Sequence, residues 1–307
     1  AAALVYLATI FWPVNLLPIY PAWDMVPPAA WQFFPWVVIA SAGWWMWRHR
    51  TGWGRHAIFG LGFFLLMIAP VLGFIDMSYM RLTWVADHFL YVPMIGPIAL
   101  AGATVVPWLA GRDGWQRSLA VLAAGLVAAC LAAGSFLYAR EWVSEERLWA
   151  YTLARNPDAW LPHVRLGMRE FDRGEVDAAL PRFRRAEILR PDLGETKNML
   201  GAALLRKGRY DEARVVLEEG LEATTFTLDI RANLAAAYCQ LGRLTEARDL
   251  AEEVMRKQPA TASLLTSHGI ALCGLGERER GIAELKSALG IDPDHEPAIE
   301  ALRNVTP

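Results

Sequence analysis

The 307-residue chain carries 30 basic and 32 acidic residues, a formal net charge of −2, and a mean hydropathy of +0.23. That balance lacks the basic surplus of a nucleic-acid binder. The totals hide two unlike halves: residues 1–139 hold only six of the basic and four of the acidic residues, and all fourteen tryptophans lie between Trp12 and Trp160. A tryptophan-rich, charge-poor segment joined to a charge-rich one predicts a membrane region followed by a soluble domain.

Taken in chain order, the start "AAALVYLATIFWP" has no basic n-region and no small-residue cleavage site, so it does not read as a signal peptide. It reads as the interior of a longer protein. Residues 1–28 fit an interfacial helix and an outward loop. Four apolar runs, 29–47, 57–76, 89–110 and 118–139, have the length of spans. Pro35, Pro70, Pro93, Pro97 and Pro107 interrupt them, which predicts kinked helices around a cavity. The loop "RHRTGWGRH" carries Arg48, Arg50 and Arg55, and "GRDGWQR" carries Arg112 and Arg117. The loop "DMSYMRLTWVADH" has one Arg against two acids. The positive-inside rule then places both basic loops in the cytoplasm, and residues 1–28, 77–88 and everything after Tyr138 outside.

Residues 140–159 read as one helix continuing from the last span, a half-repeat. After it a glycine recurs every 34 residues, at Gly174, Gly208, Gly242 and Gly276. Around it the same pattern returns four times without gaps over 160–295. Small residues (Gly167, Gly201, Ala235, Gly269) let paired helices approach, and Ala179, Ala213 and Ala247 do so on the second helix. Pro191, Pro259 and Pro293 end second helices, with Thr225 the exception. Period and pattern resemble the tetratricopeptide repeat. Residues 296–307 remain for a capping helix or tail. The chain as a whole is expected to be all-α, a polytopic helical membrane region followed by a tetratricopeptide-repeat α-solenoid.

Such arrays offer a concave groove lined by the first helix of each repeat. The groove candidates are Val164, Met168, Phe171, Asn198, Ala202, Leu205, Arg206, Ala236, Gln240, Thr266 and Ile270. The family's carboxylate clamp needs Lys, Asn and Arg at set places. Here those places hold Val164, Asn198, Ala232 and Thr266, then Met168, Ala202, Ala236 and Ile270, which makes no clamp. A protein or peptide partner in a mixed apolar groove is the functional expectation; a structural array packed on the membrane region is the alternative.

No HExxH, GxSxG or phosphate-cradling glycine loop occurs, and the six histidines suggest no metal site. His163 and His268 fall at packing positions of the repeat. Three cysteines make no disulfide framework: Cys239 and Cys273 are one repeat apart, too far to bridge, and Cys130 lies in an apolar run. The outward face of the membrane half gathers Arg81, Asp87, His88 and Tyr91, the candidate lipid-phosphate site. Asp87 could cap the third span, and Arg81 and His88 with that helix end could hold a lipid phosphate. Interfacial residues reaching for water are the plainer reading.

"FWPVNLLPIYP", then "ADHFLYVPMIG", then a last span running into "NPDAWLPHVRLG" and repeats occur here in this order. The order resembles the transmembrane and tetratricopeptide repeat-containing glycosyltransferases, a multi-span C-type family that includes the animal O-mannosyltransferases and bacterial relatives. Asp87, Leu90, Tyr91, Val92 and Pro93 match its outward motif, whereas His88 stands where that family has Arg. An imidazole is the weaker phosphate ligand, which either weakens phosphate binding at position 88 or shifts it to Arg81. The resemblance implies transfer of a sugar from a polyprenyl-phosphate carrier to an extracytoplasmic acceptor, with the repeats binding acceptor or partner. It also implies a catalytic acid in a first outward loop upstream of Ala1. Asp24 and Asp76 face outward without carrying that motif, so no catalytic residue is assigned. The rival expectation is a non-enzymatic, membrane-anchored scaffold for envelope proteins. A transporter is disfavoured, because the spans show neither an inverted repeat nor intramembrane charge.

Overall fold

The computed structural model describes residues 2–22, 30–73, 77–223 and 227–306, except for the side chains of Trp31, Gln32, Ser78 and Arg81. Asp24, Asp76, Thr225 and the Arg81 side chain therefore lie outside the described residues. The chain divides into two compact units, Ala1–Ala159 and Trp160–Pro307.

The first unit contains α1 (Ala2–Phe11), α2 (Phe34–Arg48), α3 (Gly54–Ile68), α4 (Ile95–Ala110), α5 (Gly114–Ala139) and α6 (Glu145–Arg155). Among the described residues two runs are long and apolar enough to cross a bilayer, Gly54–Val71 and Gly114–Trp142. The other two expected spans are shorter: α2 has 15 residues and α4 has 16. The prolines explain part of this. Pro93 has no N–H and disfavours helix in the residue before it, so 87–94 forms turns and α4 starts only at Ile95. Pro70 likewise falls where α3 tightens into a 3-10 turn. Pro35 sits in the first turn of α2, where its missing N–H costs nothing. Of the five expected kinks only Pro107 lies in a helix interior; Pro35 and Pro97 fall in first turns, and Pro70 and Pro93 in the turns that bound helices.

Helices α3 and α4 cross through two glycines. A Cβ on Gly96 would overlap the Gly60 carbonyl oxygen, so the backbones touch there. Below this crossing Tyr6, Phe64, Ile68, Val71, Val85 and Leu90 form a small buried core. By contrast α2 and α5 bury no residue. Nor does α5 run on into α6. A 3-10 turn over 140–142 intervenes, and Ser144, in extended backbone, caps α6 by accepting from the Arg147 N–H. The expected continuous helix over 140–159 is thus broken by a serine N-cap.

The second unit is a stack of helix pairs: α7 (Trp160–Asp172) with α8 (Val176–Leu189), α9 (Gly194–Arg206) with α10 (Tyr210–Ala223), α11 (Leu228–Gln240) with α12 (Leu244–Met255), and α13 (Ala262–Gly274) with α14 (Arg278–Ile291). A last helix, α15 (Glu296–Val305), packs on α13 and α14. The recurring glycines make the turns within pairs: Gly174, Gly208, Gly242 and Gly276 all have φ between 70° and 91°, where a side chain is strained. Within each pair the contact is matched in size. Gly167 faces Phe183, Gly201 faces Leu217 and Gly269 faces Leu285, each closer than an added Cβ would allow. In the third pair Ala235 is opposed by the equally small Ala251, and both are fully buried. One large and one small residue, or two of middling size, fill the same gap.

Buried charge in the stack is paired. Lys197 reaches Glu187 at 3.0 Å and Glu219 at 2.8 Å, and one repeat later Arg231 reaches Glu253 at 2.8 Å. Burial pulls the Lys197 ammonium down, but the two carboxylates outweigh it and hold it above the usual lysine range. Burial pushes the Cys239 thiol up to about 12, and its Sγ donates to the Ser267 carbonyl, so it packs as an inert thiol.

Candidate functional site

Two places gather the residues the sequence singles out. The first is in the first unit. Here the segment 11–22 is stitched to the 83–90 turn: the Tyr20 backbone N–H donates to Thr83 Oγ1 at 3.1 Å, and the Tyr20 hydroxyl donates to Asp87 Oδ1 at 2.8 Å. The Ala86 N–H donates to the Tyr6 hydroxyl at 2.9 Å. From α6 the Tyr151 hydroxyl donates to the Leu16 carbonyl and the Asn156 amide to that of Ile19. Both stretches that carry the family resemblance are therefore parts of one hydrogen-bonded knot.

Within the knot Asp87 is not a helix cap. The capping position is Ala86, no side chain caps the turn, and Asp87 is turned in toward Tyr20. Burial raises its carboxyl above the usual range, against the opposing pull of the Tyr20 hydrogen bond and of His88. Burial and the neighbouring Asp87 also push the Tyr20 phenol well up. A carboxylate engaged in this way repels an anion rather than binding one. His88 is exposed, its ring against Phe89, and Tyr91 is exposed as well. Of the expected phosphate ligands, then, His88 and Tyr91 face solvent while Asp87 serves the fold.

The second place is a concave cavity of about 1090 Å³ on the repeat unit. Of the residues expected in the groove, Phe171, Ala202, Leu205, Arg206, Ala236, Gln240, Thr266 and Ile270 line it. Three do not. Val164 is fully buried, Met168 packs against the core, and Asn198 is buried with its Oδ1 accepting from the Asn233 amide. The first repeat contributes only Phe171, so the groove is displaced toward the C-terminal end. There it gains residues the sequence reading left out, Glu296, Glu300 and Asn304 of α15. Their signal was present: Glu300 lies 34 residues after Thr266, so α15 takes the place of a fifth first helix.

Among the described residues no cluster of three or more His, Cys, Asp or Glu could hold a metal ion. His268 is buried, with neither ring nitrogen hydrogen-bonded; Glu284 lies 3.4 Å away and Glu252 3.7 Å. Leu166, Leu200 and Leu234 occupy its place in the other repeats, so it is a packing residue of unusual chemistry.

Two tetratricopeptide-repeat models match the second unit, over residues 164–226 and 227–258. No curated protein matches the chain. Solved structures similar to it include YrrB, described as a tetratricopeptide-repeat protein with an unusual peptide-binding site, at 21% identity and a TM-score of 0.41 over 52% of this chain and 81% of that one. Another is a thermophilic tetratricopeptide-repeat protein, TTC0263 from Thermus thermophilus, at 28% and 0.42 over 48% and 81%. A third is MamA from Desulfovibrio magneticus RS-1, at 21% and 0.37 over 48% and 92%. The second unit is a tetratricopeptide-repeat solenoid, a class of domain that binds proteins or scaffolds their assembly.

Proposed function

We propose that the chain is a membrane-anchored polypeptide-binding protein, its groove between α9 and α15 taking an extended segment of a partner on the extracytoplasmic side of a bacterial inner membrane. The observation that carries the reading is the groove itself, a cavity of about 1090 Å³ whose floor (Ala202, Ala236) is small enough for a partner backbone to approach. A photo-crosslinking residue in place of Gln240 is expected to trap polypeptide in intact cells. Equal trapping from Ile188, exposed on a second helix of the stack, would overturn it.

Anchoring is supported by the all-round exposure of α5 and by the dressing of the basic turns. Arg50 lies over Trp47 and Arg112 over Trp108, as interfacial residues do. In lipid vesicles Cys130, exposed on α5, should resist a membrane-impermeant maleimide and react once the bilayer is dissolved. Rapid labelling in vesicles would sink the anchor.

One observation favours a second, finer reading, sugar transfer from a polyprenyl phosphate to the captured polypeptide. The two stretches that resemble the glycosyltransferase family meet in the Tyr20–Asp87 knot rather than lying apart. On this reading Arg81 and His88 hold the carrier phosphate. The double variant R81A/H88A should then bind polyprenyl phosphate at least about tenfold more weakly; unchanged binding leaves both as interfacial residues.

A further inference from the structure

The charges around the groove are laid out unevenly. At one end Arg206 stacks over the Phe171 ring at 4.0 Å and donates to its carbonyl at 3.0 Å, and among the described residues no carboxylate lies within ion-pair distance of it. At the other, Glu296 and Glu300 stand one turn apart on the cavity face of α15. Both are exposed, and among the described residues neither has a cation within ion-pair distance. Elsewhere in the unit Arg182, Lys207, Arg209, Arg214 and Arg243 each meet an acid. Between the two ends the lining is uncharged. Gln240 and Asn304 make no hydrogen bond among the described residues and so can serve a partner backbone.

We propose that the groove selects an extended segment of dipolar charge, with a Lys or Arg held between Glu296 and Glu300 and an Asp or Glu on the Arg206 guanidinium. The inference rests on the groove reading above and adds the chemistry of the occupant. Spacing follows from the stack. Helices α9, α11, α13 and α15 pack in succession, three steps of roughly 8–10 Å each, a path of about eight or nine extended residues. Stacking on Phe171 fixes the guanidinium plane, so a bidentate carboxylate loses little freedom on binding. The paired glutamates in turn favour a cation and repel the free carboxylate of a chain end.

The test is selection of random peptides about nine residues long, displayed on phage, on the full chain in detergent micelles. Enriched peptides should carry a basic residue toward one end and an acidic one toward the other. The variant E296Q/E300Q should lose the basic preference alone and R206Q the acidic preference alone. Each should weaken a selected peptide by about five- to tenfold. All three positions are exposed, so the fold is not at stake. Charge preferences unchanged in these variants, or absent from peptides that A236W still blocks, would overturn the dipolar assignment and leave the groove reading standing. If A236W blocks nothing, or nothing is enriched, both fail.

Discussion

The two units solve the same problem of apolar surface in opposite ways. In the repeat unit the described large apolar side chains left exposed are Ile188, Val215, Leu275 and Ile291. In the first unit α2 and α5 bury nothing, and Trp44, Phe59, Leu66, Leu122 and Leu126 are each 65% exposed or more. A water-facing solenoid must hide its apolar residues in matched helix pairs. The exposure of α5 fits the anchoring proposed above, and in the first unit the close helix contact is made where glycine lets backbones touch. The contrast teaches where each unit is brittle: at a backbone crossing in the first, at side-chain complementarity in the second.

The largest effect is expected at the crossing. Gly96→Leu collides with the Gly60 carbonyl, which no rotamer change relieves, and should cost about 3 kcal/mol or more in denaturant unfolding of the full chain in detergent. If it is tolerated, α3 and α4 do not cross there. In the repeat unit Ala251→Leu should cost about 1–3 kcal/mol, and Ala235→Gly introduced with it should restore most of the loss by recreating the Gly–Leu pairing of the other repeats. Additive effects in that cycle would refute the size-matching account. His268→Leu replaces two unsatisfied buried nitrogens with the leucine of the equivalent positions, and should raise stability by about 1 kcal/mol; a clear loss would mean the imidazole serves the fold.

The smallest effect expected is at Asp87. Because its folded-state pKa is raised, the ionised form costs stability, which is regained as pH falls through the folded value. Asp87→Asn keeps an acceptor for the Tyr20 hydroxyl and removes the titration. Thermal melts over roughly pH 4 to 8 should show the variant equal to the parent at the acid end and slightly more stable at the neutral end. A parent that gains stability with rising pH, relative to the variant, would reverse the sign and dismiss the buried-carboxyl account.

The sequence by itself determined the repeat unit almost element by element. Helix pairs recur every 34 residues, a left-handed glycine is required at each tight turn, and small residues mark each contact, so period and packing are written in the same letters. Amphipathic faces leave a signal because burial is local to a pair and its neighbours. What only the tertiary structure decided lies where that locality ends. The apolar runs of the first unit gave length but not helix boundaries, which Pro93 and the Ser144 cap displaced. Asp87 read as a cap because the apolar run after it reads as a span; its partner, Tyr20, is 67 residues away. The groove likewise shifted toward α15, because a helix counted as a cap presents Glu296 and Glu300 to the cavity once it stacks as a fifth first helix. Hydrogen bonds and charges between distant segments carry no period, and so only the folded chain reveals them.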